Sequence, residues 1–268
     1  MMKNADNILE VEHKDKGILR LIMNDQKNKN SLSNLMIEKL NYEIKNASTN
    51  DQVRVIIIAS HGDVFCSGHN LKEIKEAFEK NDDKESYYLE LFKKCSLMMQ
   101  AIVNCSKPVI AEVNGVATAA GCQLVASCDL AISSESSKFA TPGINIGLFC
   151  STPMVALSRN VSKKESMMML LTGEMIDAKE AKRISLINDF VSEDQLTRSV
   201  MELARKISEK SQIVLKIGKK AFNKQLSLSL EDAYEYTSEI MTKNMMKEDA
   251  IEGITSFLEK RDPNWNDK

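Results

Sequence analysis

Blocks of hydrophobic and polar residues predict strands and helices in turn along the first part of the chain. Residues 8–12 and 17–23 are β-prone runs on either side of a polar turn, which predicts a hairpin. Apolar residues then recur every three or four positions over residues 36–47, and Ser33 stands where a helix would be capped. Residues 54–59 (RVIIIA) form an uninterrupted β-branched run, typical of a strand buried on both faces of a parallel sheet.

The same order of elements returns further along the chain. Residues 71–78 and the stretch that ends at Asn104 are helix-prone, and residues 108–113 predict a second buried strand. The segment ATAAGCQLVASCD, which follows Asn114-Gly115, favours another helix, and a strand-like run comes next at residues 130–133. Strands that alternate with helices predict an α/β core joined by right-handed crossovers.

Beyond about residue 153 the helical period dominates. One apolar stripe runs from Leu196 to Ile207, and a methionine-rich stretch follows around residues 241–246. We therefore expect the C-terminal third to be all helical, and we interpret these methionines as core or subunit packing rather than a cofactor site. No repeat or low-complexity linker divides the chain, which predicts one domain over residues 1–268, with a core to about residue 195 and a helical region over residues 196–268.

Composition excludes several classes of function. The 36 basic residues nearly balance the 38 acidic ones, so we expect no nucleic-acid partner. No window approaches the roughly 18 apolar residues that a membrane span needs. The cysteines and histidines lack Cys-x-x-Cys and His-x-x-x-His spacing, so we expect no metal site. Residues 1–6 lack the basic and apolar regions of a signal peptide, which favours a cytoplasmic location.

Two loops after predicted strands are the strongest candidates for a site, because ligands of α/β sheets bind beyond the carboxyl ends of strands. In FCSGHNLKE, Gly68 permits a turn that leaves the N–H of His69 pointing outward as a helix begins. In NGVATAAGCQ, the small residues 119–121 let a ligand approach the backbone at a helix N-terminus. Either loop alone is better explained as ordinary structure, and only the pair indicates a ligand site.

Taken together, FCSGHNLKE and PVIAEVNGVATAAGCQLVASCDLAI resemble the paired signature of the enoyl-CoA hydratase/isomerase (crotonase) superfamily. The resemblance continues through FATPGINIGLFCSTP, LLTGEMIDAKEA and EGITSFLEKR, so it covers nearly the whole chain. It implies a crotonase-like spiral of ββα units whose C-terminal helices pack into a trimer or a dimer of trimers. ATAAGCQLVASCD and GLFCSTP are most similar to one subgroup, which is mitochondrial in animals, so a mitochondrial location is the alternative.

The resemblance also implies roles for individual residues. His69 and Ala120 match the positions whose backbone N–H groups bind the thioester oxygen of an acyl-CoA and stabilise its enolate. Coenzyme A would then be part of the substrate, and no separate cofactor is expected. Lys72 and Lys260 match positions near the coenzyme A nucleotide, although each could be an ordinary solvated lysine. Met241 falls where some relatives place an aromatic residue against the adenine.

The chain departs from the family pattern at its acid–base positions. Hydratases of the family use two glutamates, and the matching positions here hold Gln123 and Gly143. A third position, acidic in some isomerases and dehalogenases, falls at Ser151. Neither an amide nor a glycine can accept the proton that a carboxylate accepts, so efficient hydration is doubtful. Glu112 lies in an apolar strand at a position the family does not use, so it is either exposed at the strand end or a buried carboxylate.

Three functions remain open. The first is a hydratase- or isomerase-like enzyme in which the His69 imidazole, titrating near neutral pH, acts with Gln123, Ser151 or Cys150; the competing interpretation is that only the His69 N–H acts. The second is a decarboxylase of malonyl-type thioesters, because loss of carbon dioxide forms an enolate without a base. The third is an acyl-CoA-binding or scaffold protein without turnover.

Overall fold

A computed structural model describes residues 7–268, whose strands form two sheets. In chain order the strands are β1 (Leu9–Lys14), β2 (Ile18–Met23), β3 (Val55–Ser60), β4 (Val64–Cys66), β5 (Val109–Val113), β6 (Val116–Thr118), β7 (Leu130–Ser134), β8 (Lys138–Ala140), β9 (Ile176–Asp177) and β10 (Asp189–Val191). The larger sheet has the order β1-β2-β3-β5-β7-β10, and the smaller has the order β4-β6-β8-β9. Among the paired strands of these two sheets, only β1–β2 and β8–β9 are antiparallel, and the other pairs are parallel.

The helices are α1 (Asn34–Thr49), α2 (Leu71–Lys80), α3 (Lys84–Asn104), α4 (Ala120–Ser127), α5 (Pro153–Asn160), α6 (Lys163–Thr172), α7 (Ala178–Arg183), α8 (Glu193–Ser208), α9 (Gln212–Gln225), α10 (Leu230–Met245) and α11 (Glu248–Glu259). Ser33 caps α1 as predicted, because its hydroxyl accepts the N–H of Met36 at 3.1 Å. Within residues 7–268, no helix combines the length and the apolar character needed to cross a lipid bilayer.

The larger sheet separates two parts of the hydrophobic core. Ile56 and Ile58 of β3 pack with α1 and α3 on one face, whereas Val55 and Ile57 pack with α8 on the other. All four side chains are fully buried, which explains why RVIIIA shows no polar alternation. The prediction of a strand buried on both faces is confirmed.

A repeated unit builds the sheets and positions the loops. Each of β3, β5 and β7 is followed after a short turn by a strand of the smaller sheet, and then by a helical segment. This is the predicted ββα arrangement, and the α/β fold class is confirmed. The carboxyl ends of β4, β6 and β8 therefore meet at one edge of the smaller sheet.

One expectation for the C-terminal third was wrong. β10 lies within it and extends the larger sheet beside β7, so the region is not all helical. A strand of three residues is too short to show a period in the sequence. The methionines were expected to serve core or subunit packing; because Met241 is 60% exposed and Met246, just beyond α10, is 82% exposed, they do not pack in this chain's own core, and subunit packing stays a prediction.

Candidate functional site

The two loops singled out in the sequence lie against each other at the carboxyl ends of β4 and β6. The Thr118 hydroxyl donates to the carbonyl of Ser67 at 3.2 Å. Gly68 has a φ of +89°, and a Cβ added to it would lie 3.2 Å from the Ala120 nitrogen and 2.9 Å from the Ala119 Cβ. Glycine is therefore required both for the turn and for the close approach of the loops.

The backbone around Ala120 is held in an unusual conformation. Ala119 has a φ of 51° and a ψ of −117°, in a region that residues other than glycine seldom adopt. Its N–H donates to the carbonyl of Ala140 at 3.0 Å, and its carbonyl accepts the N–H of Gln123 at 3.0 Å. Ala120 is the first residue of α4, so no carbonyl of that helix can accept its N–H. Strain of this kind is common at functional sites.

The backbone of His69 is fixed on both sides. The Leu32 N–H donates to the carbonyl of Gly68 at 2.7 Å, and Leu32 and His69 form a β-bridge. Immediately after it, the Asn70 side chain caps α2 by accepting the N–H groups of Lys72 and Glu73. Among the hydrogen bonds of residues 7–268, none uses the N–H of His69 as a donor.

The His69 side chain is neutral at physiological pH. Its ring packs edge-on against Phe92, with 5.3 Å between the ring centroids, and its Nε2 is buried without a hydrogen-bond partner among residues 7–268. Burial disfavours the charged imidazolium and lowers the pKa of His69 to about 4. The expectation that this imidazole titrates near neutral pH was therefore wrong, because a sequence pattern does not reveal desolvation.

Gln123 lies one helical turn beyond the Ala120 nitrogen. Its side chain is 5% exposed, and its Oε1 is buried with no partner among residues 7–268. Positions i and i+3 of a helix share a face, so Gln123 lies on the same face of α4 as Ala120.

Gly143 lies in a 3₁₀ helix, Pro142–Ile146, where a side chain has no room. An added Cβ would lie 2.5 Å from the Leu148 carbonyl oxygen and 2.9 Å from the Cys150 Sγ. The Gly143 N–H donates to that sulfur at 3.4 Å. Burial raises the pKa of the Cys150 thiol, so the thiol stays protonated at neutral pH.

Of the other candidates, only Lys72 belongs to one of the two loops. Ser151 is exposed, and its hydroxyl donates to the Phe149 carbonyl of its own loop at 3.3 Å. Lys72 is exposed in the first turn of α2, which packs on α3. Met241 is on α10 and Lys260 ends α11, and these two helices pack on each other. The nucleotide-binding roles of Lys72, Met241 and Lys260 stay predictions.

Glu112 is held by side chains that connect neighbouring elements of the fold. It is 6% exposed and accepts two hydrogen bonds from the Arg20 guanidinium, at 2.9 and 3.0 Å, and one from the Thr197 hydroxyl at 2.7 Å. These contacts tie β5 to β2 and to α8. Of the two alternatives for this residue, burial is correct, and its acceptor sites are occupied by structural partners.

One residue of the site escaped the sequence analysis. Thr141 follows β8 directly, is 1% exposed, and has a hydroxyl without a partner among residues 7–268. In the sequence, Thr141 is an ordinary residue that precedes a proline. Only its burial and its missing hydrogen bond distinguish it, and neither leaves a signal in the sequence.

Comparisons with known proteins agree with the fold. The model of the family described as enoyl-CoA hydratase/isomerase matches residues 13–268. Enoyl-CoA hydratase domain-containing protein 3, mitochondrial, from Xenopus laevis is 46% identical over 258 residues, which cover 96% of this chain and 85% of that protein. The crystal structure of the human domain-containing protein 3 superposes with a TM-score of 0.91 at 46% identity, covering 96% of this chain and 100% of that one.

A bacterial structure is similar to the same degree. The crystal structure of an enoyl-CoA hydratase from Mycobacterium smegmatis has a TM-score of 0.92 at 40% identity, and the match covers 96% of this chain and 98% of that one. The subgroup resemblance noted in ATAAGCQLVASCD and GLFCSTP is thus confirmed by similarity along the whole chain.

Proposed function

The chain belongs to the enoyl-CoA hydratase/isomerase family, and from this premise we propose that it binds an acyl-CoA and polarises the thioester carbonyl between the N–H groups of His69 and Ala120. The observation that carries the proposal is the contact between the two loops, with the Ala120 nitrogen 3.2 Å from the vacant Cβ position of Gly68. Two preorganised donors stabilise the enolate that forms beside a thioester, and losing one typically lowers the rate by about 10² to 10³.

Efficient hydration is not part of the proposal. Addition of water to an enoyl thioester needs an acid and a base, each worth about 10² to 10⁴ in rate. At the positions where the family's hydratases have glutamates, this chain has the Gln123 amide and a glycine whose surroundings exclude a side chain. The neutral His69 ring is a poor replacement, because a group with a pKa of about 4 is a weak base at neutral pH.

Loss of carbon dioxide from a malonyl-type thioester is the second candidate. That step breaks a carbon–carbon bond and leaves its electron pair on the enolate, so it needs oxyanion stabilisation but no base. The specific observation in its favour is that the residues at the acid–base positions, Gln123, Gly143 and Ser151, include no carboxylate. Binding without turnover is the third outcome.

One experiment separates these functions. Purified protein is titrated calorimetrically with crotonyl-CoA and methylmalonyl-CoA, and turnover is followed by loss of the conjugated enoyl absorbance and by release of carbon dioxide. Binding without hydration of crotonyl-CoA is expected, and decarboxylation of methylmalonyl-CoA would favour the second candidate. If wild-type protein binds neither thioester, the proposed function is wrong. Gly68→Ala should abolish binding, whereas the control Gly218→Ala, in open space on α9, should not.

The assembly and the location of the protein stay proposals. We propose a trimer or a dimer of trimers, supported by exposed apolar side chains on the C-terminal helices, including Phe222 at 63% and Phe257 at 82% exposed. Light scattering during size-exclusion chromatography measures the oligomer, and a monomer would contradict it. The relatives of the same subgroup are described as mitochondrial. The cytoplasmic expectation rests on residues 1–6, which lie outside the described residues, and stays untested.

A further inference from the structure

Asn30 is a buried polar residue in the loop between β2 and α1. It is 0% exposed, and its φ of 48° lies in the left-handed region, which asparagine adopts more readily than most residues. Its N–H donates to the Asp25 carbonyl at 2.8 Å, and its side-chain oxygen accepts the Asp25 N–H, also at 2.8 Å. The loop is therefore closed on itself at Asn30.

The side-chain amide of Asn30 also joins this loop to the turn between β3 and β4. Its Nδ2 donates to the carbonyl oxygens of His61 at 2.9 Å and of Val64 at 2.7 Å. Both amide hydrogens and the amide oxygen thus have partners, and all of these partners are backbone groups. A buried amide bonded in this way fixes the two segments relative to each other.

The residues on either side of Asn30 hold the first of the two site loops. The Ser67 N–H donates to the Lys29 carbonyl at 3.2 Å, and the Leu32 N–H donates to the Gly68 carbonyl at 2.7 Å. Asn30 lies between these two contacts along the chain. Since its amide also holds the turn that precedes β4, it controls where the loop after β4 meets residues 29–32.

The carbonyl of Gly68 and the N–H of His69 belong to the same peptide unit. A peptide unit is planar and trans, so its carbonyl and its N–H point in opposite directions. By binding the Gly68 carbonyl, the Leu32 N–H therefore sets the direction of the His69 N–H. Gly68 has no side chain that would restrict rotation of this unit, so its orientation depends on the bond from outside. A carbonyl that accepts a hydrogen bond also polarises the N–H of its own unit and makes it a better donor.

We propose that Asn30 is a positioning residue for the His69 N–H in polarisation of the thioester carbonyl. This role rests on the proposed function and assigns the aim of one donor to a residue outside both loops. The second donor, the Ala120 N–H, is held separately, because the Ala119 carbonyl of its peptide unit accepts the Gln123 N–H at 3.0 Å. Loss of the Asn30 amide should therefore weaken one of the two donors and spare the other.

The carbonyl stretch of bound butyryl-CoA tests this role, because hydrogen bonds to the thioester oxygen weaken the carbonyl bond and lower its frequency. Isotope-edited infrared spectroscopy, with the label on the thioester carbonyl carbon, separates this band from those of the protein. Butyryl-CoA has no double bond to hydrate and no carboxyl group to lose, so it stays intact. Asn30→Gly keeps the left-handed backbone and removes the amide, and about half of the wild-type downshift should disappear.

Glu112→Ala is the matched control, since it removes a buried, hydrogen-bonded side chain from the larger sheet, outside the two loops. It should lower the Tm and keep the full downshift. A full downshift in folded Asn30→Gly would mean a purely structural role, and loss of the whole downshift would mean that both donors depend on Asn30; either result would overturn the positioning role. If wild-type protein does not bind butyryl-CoA, or binds it without a downshift, the proposed function itself fails.

Two further measurements apply if Asn30→Gly does not fold. Asn30→Asp keeps the size of the side chain but supplies at most one hydrogen, so it should also lose part of the downshift. In asparagine-labelled wild-type protein, NMR should show the resonance of the Asn30 side-chain amide moving when butyryl-CoA binds, through the hydrogen bonds that connect it to the His69 peptide unit. A resonance that stays in place would contradict the positioning role.

Discussion

Gly143 offers a direct test of why the second carboxylate is missing. An alanine there would place its Cβ 2.5 Å from the Leu148 carbonyl oxygen and 2.9 Å from the Cys150 Sγ, and both are closer than non-bonded atoms normally approach. The nearer atom belongs to the backbone and cannot rotate away. We therefore expect Gly143→Ala to displace the loop that connects the 3₁₀ helix to Cys150, and Gly143→Glu to displace it further.

The expected loss of stability in Gly143→Ala follows from the crowding around the added Cβ. Overpacking a tight site usually costs about 1 to 3 kcal/mol. In a protein of this size each kcal/mol lowers the Tm by roughly 2 to 4 °C, so Gly143→Ala should lower it by roughly 2 to 12 °C. Gly218→Ala is the matched control, since a Cβ at that position on α9 meets no atom within 4 Å. Its expected effect is a slight stabilisation of up to about 1 kcal/mol, from the higher helix propensity of alanine.

Thermal melts and crotonyl-CoA hydration should be measured together for Gly143→Ala, Gln123→Glu and the Gln123→Glu/Gly143→Glu double variant. Gln123→Glu preserves the size of the side chain and supplies one carboxylate. We expect the double variant to remain a poor hydratase, because the second carboxylate displaces the loop on which it stands. A Gly143→Ala melt at or above the wild-type Tm, or efficient hydration by the double variant, would refute the steric argument.

Three further predictions concern Gly68, His69 and Glu112. Gly68→Ala should reduce acyl-CoA binding below detection by calorimetry, because its Cβ crowds the Ala120 nitrogen; retained affinity would contradict the role of the loop contact. Since the pKa of His69 falls to about 4 on folding, the unfolded chain binds that proton more readily, and the free energy of unfolding should drop by about 2 kcal/mol between pH 7 and pH 5. Urea melts of His69→Gln at both pH values should lack this loss. Glu112→Ala removes the buried partner of the Arg20 guanidinium and leaves it only the more exposed Glu12 at 3.4 Å, so it should destabilise the fold by up to about 3 to 5 kcal/mol, with acyl-CoA affinity of the folded protein unchanged.

The parts of the fold that the sequence predicted are those with a strong local period. The strand at residues 54–59 was recognisable because both of its faces are buried, and α1 because Ser33 caps a regular apolar stripe. The strands β4, β6 and β8 were missed because each has only three residues, too few to show alternation. Those short strands nevertheless set the register that brings the loops together.

The candidate site, too, was predicted only in part. The N–H donors His69 and Ala120 were predicted from motifs, and the structure places their loops in contact, although their role in binding stays a prediction. The protonation state of His69 was misjudged because desolvation depends on neighbours distant in sequence, such as Phe92. Thr141 was missed because an unpaired hydroxyl is defined by what surrounds it rather than by its neighbours in the chain.

Three uncharged side chains, those of His69, Cys150 and Gln123, bear on the chemistry that we propose for this site. His69 is neutral, the Cys150 thiol is protonated, and Gln123 replaces a carboxylate with an amide. In a buried, weakly polar setting the dipoles of two N–H groups act strongly on a developing enolate, and none of these three side chains adds a negative charge to oppose it. The same neutrality removes the means of moving a proton. We therefore propose that a reaction at this site would form its enolate from a bond within the substrate, and release of carbon dioxide from a malonyl-type thioester is the most informative turnover assay.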